Sequence, residues 1–236
     1  MSAAPAPAGR LVLFDIDGTL LTGGRAARTV FAAALTEVFG TCGDVETFAF
    51  EGKLDPVIVR DLLLAAGVPE ETVLRRRADA LELYLDRLEA ALAVEKPVLK
   101  PGVAEVLDGV ARAGAGAVVS ALLTGNVERG ARIKLSAVGL WHRFAFGAFG
   151  DEASRREDLG PVALEKARRL GLSFSGADCV VVGDAPQDVA CALALGARIV
   201  AVATGKTPAG RLAAAGAHVV LPDFSDTSRA LEAILG

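Results

Sequence analysis

Three short apolar segments of this chain each end in polar residues whose side chains could bind a metal ion or a phosphate group. Residues 11–14, 117–123 and 179–182 are apolar without alternation, which is typical of strands buried on both faces of a parallel sheet. The polar groups that follow them are Asp15-Ile16-Asp17-Gly18-Thr19, Thr124-Gly125-Asn126, and Gly183-Asp184 with Asp188. Because parallel strands end at one edge of the sheet, where open α/β proteins bind ligands, we expect the three groups to meet in one site.

The four carboxylates in these groups predict a divalent cation. Carboxylates this close repel one another unless a positive charge lies beside them, and Mg²⁺ takes a few carboxylates together with water and substrate phosphate oxygens. The hydroxyl of Thr124 and the N–H groups of Gly125 and Asn126 precede a helix, whose N-terminus attracts anions. We therefore expect a phosphate held between a helix end and a metal ion, with Asp15, Asp17, Asp184 and Asp188 around the ion.

Each polar group also has a purely structural interpretation. Asp15 and Asp17 could cap a following helix, Thr124 could be a helix N-cap, and Asp188 could be an ordinary acid in a first helical turn. These alternatives stay open for each residue taken alone. The expected position of all three groups at one sheet edge favours the shared site.

The elements that must position these groups alternate between strand and helix from residue 101 onward. Helices are expected at 103–113, from 126 towards 138, at 161–170, up to 195, at 209–215 and from 228; a short apolar segment lies at 144–149, and strands are expected at 198–202 and 218–221. This alternation indicates βαβ units, so we predict an α/β fold with a doubly wound parallel sheet.

The segment between the first strand and residue 98 has a different pattern. Apolar residues recur at helical spacing over 25–39, 55–66 and 69–93, and glycines follow the first two of these stretches. No convincing strand lies between residues 22 and 97. We therefore predict an all-helical insert after the first strand.

The composition narrows the functional class. The chain has 236 residues and is 52% hydrophobic, which is enough for a sizeable core. Its formal net charge of −4 argues against a nucleic-acid-binding surface. Three scattered cysteines, Cys42, Cys179 and Cys191, predict neither disulfides nor a zinc site. Residues 1–9 lack the features of a secretory signal and are expected to be a loose tail, and no segment has transmembrane length. We expect a cytoplasmic protein without a membrane partner.

The motifs resemble those of a known family. The segments 14–20, 123–126 and 182–188 closely resemble motifs one, two and four of the haloacid dehalogenase superfamily. The resemblance implies a Rossmann-like core at 8–21 and 98–236, with 22–97 resembling the family's mobile helical cap. The loop at 51–56 resembles a substrate-facing cap loop of phosphoglycolate phosphatase-like members, although Leu54 stands where Thr is more usual.

The same resemblance favours phosphoryl transfer over the cleavage of carbon–halogen bonds. Members that cleave carbon–halogen bonds generally lack the second acid of motif one, whereas Asp17 resembles that of phosphatases and phosphomutases. The family's third motif usually supplies a lysine, and here the loop contains arginines instead. We expect Arg156 to take that role and place Arg155 second, while a solvated arginine pair remains the structural alternative.

The roles that the family implies can be carried to individual residues. Asp15 is expected to attack phosphorus and form an aspartyl-phosphate, and Asp17 to act as general acid and then base. Mg²⁺ is expected on Asp15, Asp184 and the carbonyl of Asp17, with Asp188 close by. Substrate oxygens are expected near Thr124 and Arg156. Further substrate contacts are expected from Gly18, Thr19, Gly125, Asn126, Gly52, Lys53 and Asp55.

The sequence thus predicts a Mg²⁺-dependent phosphatase acting on a small phosphorylated metabolite. Two alternatives remain: a sugar phosphomutase of the β-phosphoglucomutase type, which uses the same intermediate, and a binding or regulatory protein built on an inactive version of the fold. The presence of all four acids argues against the last. The sequence does not reveal the metabolite or the oligomeric state.

Overall fold

The central element is a six-stranded sheet in which every neighbouring pair is parallel. The computed structural model describes residues 9–113 and 118–236. The strands follow the spatial order β5-β4-β1-β6-β7-β8, with β1 at Arg10–Phe14, β4 at Val118–Leu123, β5 at Gly147–Ala148, β6 at Cys179–Gly183, β7 at Arg198–Val202 and β8 at Val219–Leu221. The predicted α/β fold with a doubly wound parallel sheet is confirmed.

Strand β1 shows why the apolar segments do not alternate with polar residues. Leu11 and Leu13 belong to the hydrophobic core on one face of the sheet, and Val12 and Phe14 to the core on the other. All four side chains are fully buried. A strand covered on both faces has no solvent-facing positions for polar residues.

Helices cover both faces of the sheet. One face packs against helices α4 (Val103–Ala113), α5 (Glu128–Ala137) and α9 (Thr227–Leu235). The other face packs against α6 (Leu159–Arg169), α7 (Pro186–Leu195) and α8 (Ala209–Ala214). Each helix lies within two residues of its predicted position, with α6 beginning two residues earlier than expected.

The helical insert has a hydrophobic core of its own. Helices α1 (Gly24–Phe39), α2 (Asp55–Ala65) and α3 (Glu70–Val94) bury side chains against one another, among them Phe31, Leu62 and Leu88. Two-residue strands, β2 (Leu21–Thr22) and β3 (Val98–Leu99), pair antiparallel where the chain enters and leaves the insert. Strands this short leave no periodic pattern in the sequence, so the pair was not predicted.

Other predictions have mixed outcomes. The apolar segment at 144–149 contributes only two residues to the sheet. Cys179 and Cys191 are buried as expected, while Cys42 is half-buried, and all three are free thiols. Within 9–113 and 118–236, no helix has the length and apolar character to cross a bilayer. The expected loose tail at residues 1–9, except for Gly9, lies outside the described residues, as do the glycines and strand start at 114–117.

Candidate active site

Three buried carboxylates converge beyond the carboxyl ends of the two central strands. Asp15 directly follows β1 and its backbone N–H donates to the Val182 carbonyl of β6 at 2.9 Å. Asp184 directly follows β6, and Asp188 lies in the first turn of α7. Oxygens of Asp15, Asp184 and Asp188 all lie within 4.8 Å of one another. The structure therefore brings together three of the four acids that the sequence placed around a metal.

The guanidinium of Arg156 lies against this cluster. Its Nη2 donates to Oδ1 of Asp15 at 2.8 Å and also to Oδ1 of Asp188. Nη1 has no hydrogen-bond partner within the described chain, and Arg156 lines the cavity above the cluster. Arg155 instead points to solvent, with its side chain 70% exposed. Of the two arginines, the structure places only Arg156 in the site.

The charges in this cluster strongly perturb one another. Burial, together with the neighbouring carboxylates, raises the pKa of Asp184 to about 8. Burial also raises the pKa of Asp15 to about 6, even though Arg156 works in the opposite direction. Carboxylates whose pKa values are raised this far by burial and by neighbouring charges are strong candidates for cation ligands or catalytic groups.

The residues present fit a divalent metal ion. Three carboxylates and one guanidinium leave two negative charges uncompensated if all are ionised. Gly18 and Gly205 pack closely around the carboxylate of Asp184, because a Cβ atom at either position would collide with it. Oxygen-only ligands of this kind suit Mg²⁺.

Asp188 and Asp17, which were predicted near the metal, and Thr19, a predicted substrate contact, have surroundings that differ from those of Asp15 and Asp184. Asp188 is fully buried, and its oxygens accept from Arg156 and from the Ala185 N–H at 3.0 Å. The side chain of Asp17 lies outside the three-carboxylate cluster. Thr19 is also fully buried, and its hydroxyl donates to Asp184 at 2.9 Å. Its side chain therefore orients Asp184 from behind the cavity and does not face a substrate.

The loop after β4 supplies groups that can hold an anion. The hydroxyl oxygen of Thr124 accepts from the backbone N–H and the side-chain amide of Asn126, at 3.3 and 2.9 Å, which leaves its proton free to donate. The N–H of Gly125 has no partner among the residues described. Thr124, Gly125 and Asn126 all line the cavity that Asp15 enters.

A lysine that the sequence analysis missed holds Asp17. Nζ of Lys134 lies 2.6 Å from Oδ2 of Asp17 and 2.6 Å from Oδ1 of Asn126, and the Asn126 amide donates to the same Asp17 oxygen at 2.7 Å. Burial works against the charge on Lys134, but Asp17, Tyr84 and Asp55 together outweigh it, so the pKa of Lys134 lies above its usual value. The signal was present: Lys134 occupies the buried face of α5 between Ala131 and Leu135.

The insert reaches the site through the loop before α2. The backbone N–H of Asp55 donates to the Gly125 carbonyl at 2.8 Å, and its Oδ2 accepts from the Val127 N–H at 3.0 Å. Burial raises the pKa of Asp55 to about 6. Gly52 lies in the left-handed region at φ 68° and packs closely on Gln187. The loop is therefore docked on the loop that follows β4.

Lys53 has partners within the insert. Its Nζ lies 3.0 Å from Oδ2 of Asp61 and 4.3 Å from the centre of the Phe48 ring. Gly52, Lys53 and Asp55 all line the cavity. The cavity has a volume of about 370 Å³ and lies between the sheet edge and the insert. The carboxylates of Asp15 and Asp17 and the donors of the loop after β4 thus line the same cavity.

The chain is similar to several known proteins. The family model for haloacid dehalogenase-like hydrolases matches residues 10–196. A phosphoglycolate phosphatase of Xylella fastidiosa is 33% identical over 190 residues, covering 79% of this chain and 77% of the relative. A phosphoglycolate phosphatase of Xanthomonas campestris is 30% identical over 198 residues, covering 83% of this chain and 84% of the relative.

A solved structure has the same fold. The crystal structure of a predicted phosphatase from Clostridium acetobutylicum superimposes with a TM-score of 0.73 at 21% identity, covering 96% of this chain and all of that one. At this identity the likeness concerns the fold alone.

Proposed function

This chain belongs to the haloacid dehalogenase-like hydrolase family and is a phosphatase, and we propose that it hydrolyses the phosphate monoester of a small metabolite with Mg²⁺ and an aspartyl-phosphate intermediate. The observation that carries the proposal is the convergence of Asp15, Asp184 and Asp188 under Arg156 at the bottom of the cavity. A nucleophilic carboxylate, excess negative charge and a fixed cation are what phosphoryl transfer requires, since its catalysis is mainly positioning and charge stabilisation.

In this proposal the two parts of the chain have separate tasks. Residues 8–21 and 98–236 form the catalytic core, and residues 22–97 form a cap with its own hydrophobic core. The paired strands β2 and β3 connect the two and are the natural hinge. Closing the cap excludes bulk water from the reacting groups.

Asp15 is the nucleophile. Arg156 binds its Oδ1, and Oδ2 accepts no hydrogen bond from any described residue, so Oδ2 is free to attack. As the bond from Oδ2 to phosphorus forms, the bond from phosphorus to the leaving oxygen breaks. The product of this step is a phosphate anhydride on Asp15, a known form of covalent catalysis.

Asp17 moves the protons. In its acid form it protonates the leaving oxygen, and as a carboxylate it then takes a proton from the water that attacks the phosphorus of the intermediate. This second step releases inorganic phosphate and restores the carboxylate of Asp15. Lys134 and Asn126 bind Oδ2 of Asp17, which leaves Oδ1 to exchange the proton.

The phosphoryl oxygens are held by groups that lack other partners. These are the hydroxyl proton of Thr124, the N–H of Gly125 and Nη1 of Arg156. Asp15, Asp184 and the carbonyl of Asp17, with Asp188 close by, would hold Mg²⁺, and the ion would supply charge neutralisation at the transferring group. Asp188 also holds Arg156 in place, through the same Nη2 atom that binds Asp15.

The proposed substrate class rests on the relatives. Those named above are phosphoglycolate phosphatases, and phosphoglycolate is a small phosphorylated acid. A phosphomutase would return the phosphate to its substrate, whereas these relatives and the family name point to hydrolysis.

A phosphate-release screen tests the proposal. Purified protein is incubated with Mg²⁺ and sugar phosphates, phosphoglycolate and nucleotides, and inorganic phosphate and remaining substrate are both measured. We expect phosphate equal to the substrate consumed, and a phosphorylated enzyme after rapid quenching. Isomerised substrate without free phosphate would identify a mutase, and no turnover of any ester would reject the proposal.

A further inference from the structure

The cavity wall that the insert contributes includes three aromatic rings. Phe31, Phe50 and Tyr84 line it, together with Ile58. The Phe31 ring packs edge to face on Phe50 at 5.9 Å and on Tyr84 at 5.2 Å between ring centres. Phe31 and Tyr84 are only 6% exposed, and the surface they retain faces this cavity. The rings therefore hold one another in fixed positions around the space where a leaving group must lie.

The hydroxyl of Tyr84 has no hydrogen-bond partner in the described part of the chain. Burial raises the pKa of this phenol, with Lys134, Asp55 and Asp17 as charged neighbours. Tyr84 lines the same cavity as Asp17 and Asp55. A buried phenol usually finds a partner, so this donor is available to the bound molecule.

Arg28 adds a planar cation to the same wall. Its guanidinium carbon lies 4.9 Å from the centre of the Phe50 ring, and its Nη1 makes a 3.3 Å bond to the Glu46 carbonyl. Among the residues described, no carboxylate forms an ion pair with it. A half-buried guanidinium stacked on a ring can stack on a second ring or donate to its heteroatoms.

The size of the cavity agrees with a large leaving group. Its 370 Å³ lies within the range of roughly 300–1,000 Å³ typical of pockets that enclose drug-sized ligands. A two-carbon acid would leave the aromatic part of the wall in contact with water. Two charged side chains of the same loop are already paired, since Lys53 binds Asp61 and Glu51 binds Lys206.

We propose that this site selects phosphate monoesters whose leaving group carries a flat aromatic ring, which packs against Phe31, Phe50 and Tyr84 while Arg28 contacts its edge or face. The inference rests on the proposed phosphatase function and names its substrate class. The ring belongs either to a nucleoside or to an aryl-alkyl alcohol, which share the same recognition chemistry.

Matched pairs of esters test this selection without changing the leaving oxygen. One pair is a nucleoside 5′-monophosphate and ribose 5-phosphate, and the other is 2-phenylethyl phosphate and butyl phosphate. Both members of each pair release a primary alcohol, so only the ring differs. We expect kcat/KM to favour the ring-bearing member by about tenfold, as one aromatic contact of about 1–1.5 kcal/mol gives.

Substitutions in the cavity wall test which residues produce the preference for ring-bearing esters. Phe50→Ala is expected to move the ratio of kcat/KM values towards one, and Phe50→Leu, which keeps an apolar side chain, to do so in part. Phe174→Ala removes a half-buried ring that does not line the cavity and is expected to keep the wild-type ratio. Because each ratio compares two substrates on one enzyme preparation, a partly unfolded variant still gives a valid value.

The outcomes separate this inference from the function on which it rests. A preference in the nucleotide pair alone assigns the ring to a nucleoside, and a preference in the phenylethyl pair alone assigns it to an aryl-alkyl alcohol. If phosphoglycolate or any ringless ester is hydrolysed but neither ratio exceeds one, the ring selection is overturned and the phosphatase proposal stands. If no ester releases phosphate with Mg²⁺, both are overturned.

Discussion

Nζ of Lys134 lies 2.6 Å from Oδ2 of Asp17, and the two residues are 117 positions apart in the chain. Lys134 is 7% exposed, whereas the side chain of Asp17 is 42% exposed and faces the cavity. The ammonium therefore holds one oxygen of the proposed general acid from inside the protein, and the other oxygen stays available to a leaving group.

We predict that Lys134→Met slows the release of poor leaving groups more than of good ones. Without the ammonium, Asp17 loses its fixed orientation, and general acid catalysis of the kind it supplies contributes about 10²–10⁴-fold. The measurement is kcat/KM for an alkyl and an aryl phosphate. Lys134→Arg keeps a cation and is expected to recover part of the kcat/KM lost on the alkyl phosphate. Lys166→Met, at a lysine outside the cavity, is expected to leave kcat/KM for both esters unchanged. Equal losses on both esters would assign Lys134 a purely structural role.

The sequence predicted the parts of the site that lie at the ends of strands. Asp15, Asp184 and Thr124 follow apolar segments directly, so the topology of a parallel sheet brings them together. Lys134 could not be paired with Asp17 in the same way, because their contact depends on how α5 packs beside the first loop. The role of Thr19 behind Asp184 depends likewise on tertiary packing.

We predict that Asp15→Asn abolishes turnover without loss of fold. The amide cannot attack phosphorus, and removal of a nucleophile of this kind lowers kcat by at least about 10⁴-fold. Removing one charge from the carboxylate cluster relieves repulsion, so the melting temperature is expected to stay near that of the wild type. Asp44→Asn changes an exposed acid and serves as the control. Retained phosphoryl transfer in the folded Asp15 variant would reject this nucleophile.

Asp184 makes the stability of the metal-free protein depend on pH. Its pKa is about 8 in the folded state, against an ordinary value of 3.8 for aspartate, so the folded state binds more protons than the unfolded state between these two pH values. This contribution to stability is fully present below about pH 4 and is lost as the pH rises through about 8. We predict a melting temperature that falls from about pH 4 to about pH 8 in EDTA, and a flatter profile for Asp184→Asn. A pH-independent melting temperature would contradict the assignment.

Addition of Mg²⁺ is expected to reverse this loss and to restore activity after EDTA treatment. A ligand at 100 times its Kd stabilises a protein by about 2.7 kcal/mol, which at about 2–4 °C per kcal/mol is a rise of about 5–10 °C for a chain of this size. Asp184→Asn is expected to show little or no rise. An equal rise in both proteins would place the bound metal elsewhere.

Arg156 is predicted to stabilise the fold as well as the reaction. Arg156→Met leaves Asp15 and Asp188 buried without their cation, and breaking a buried ion pair in this way costs about 3–5 kcal/mol. Urea unfolding of the metal-free protein measures this loss. Arg155→Met, at the exposed neighbour, is expected to change the free energy of unfolding very little. Comparable effects of the two substitutions would contradict the burial of Arg156.

The contact of the cap loop with Gly125 gives the last prediction. A Cβ atom at Gly125 would collide with the backbone carbonyl of Lys53, and a backbone carbonyl cannot turn away as a flexible side chain can. Gly125→Ala is therefore expected to push the cap loop off the phosphate-binding residues and to lower kcat/KM at least about 100-fold, as a displacement of about 1 Å can do. Because the collision lies between cap and core, the melting temperature is expected to fall far less than the activity. Gly210→Ala is the matched control, since nothing lies within 4 Å of its added methyl group and alanine favours a helix over glycine by about 1 kcal/mol. Wild-type activity in Gly125→Ala would show that the loop need not dock there for catalysis.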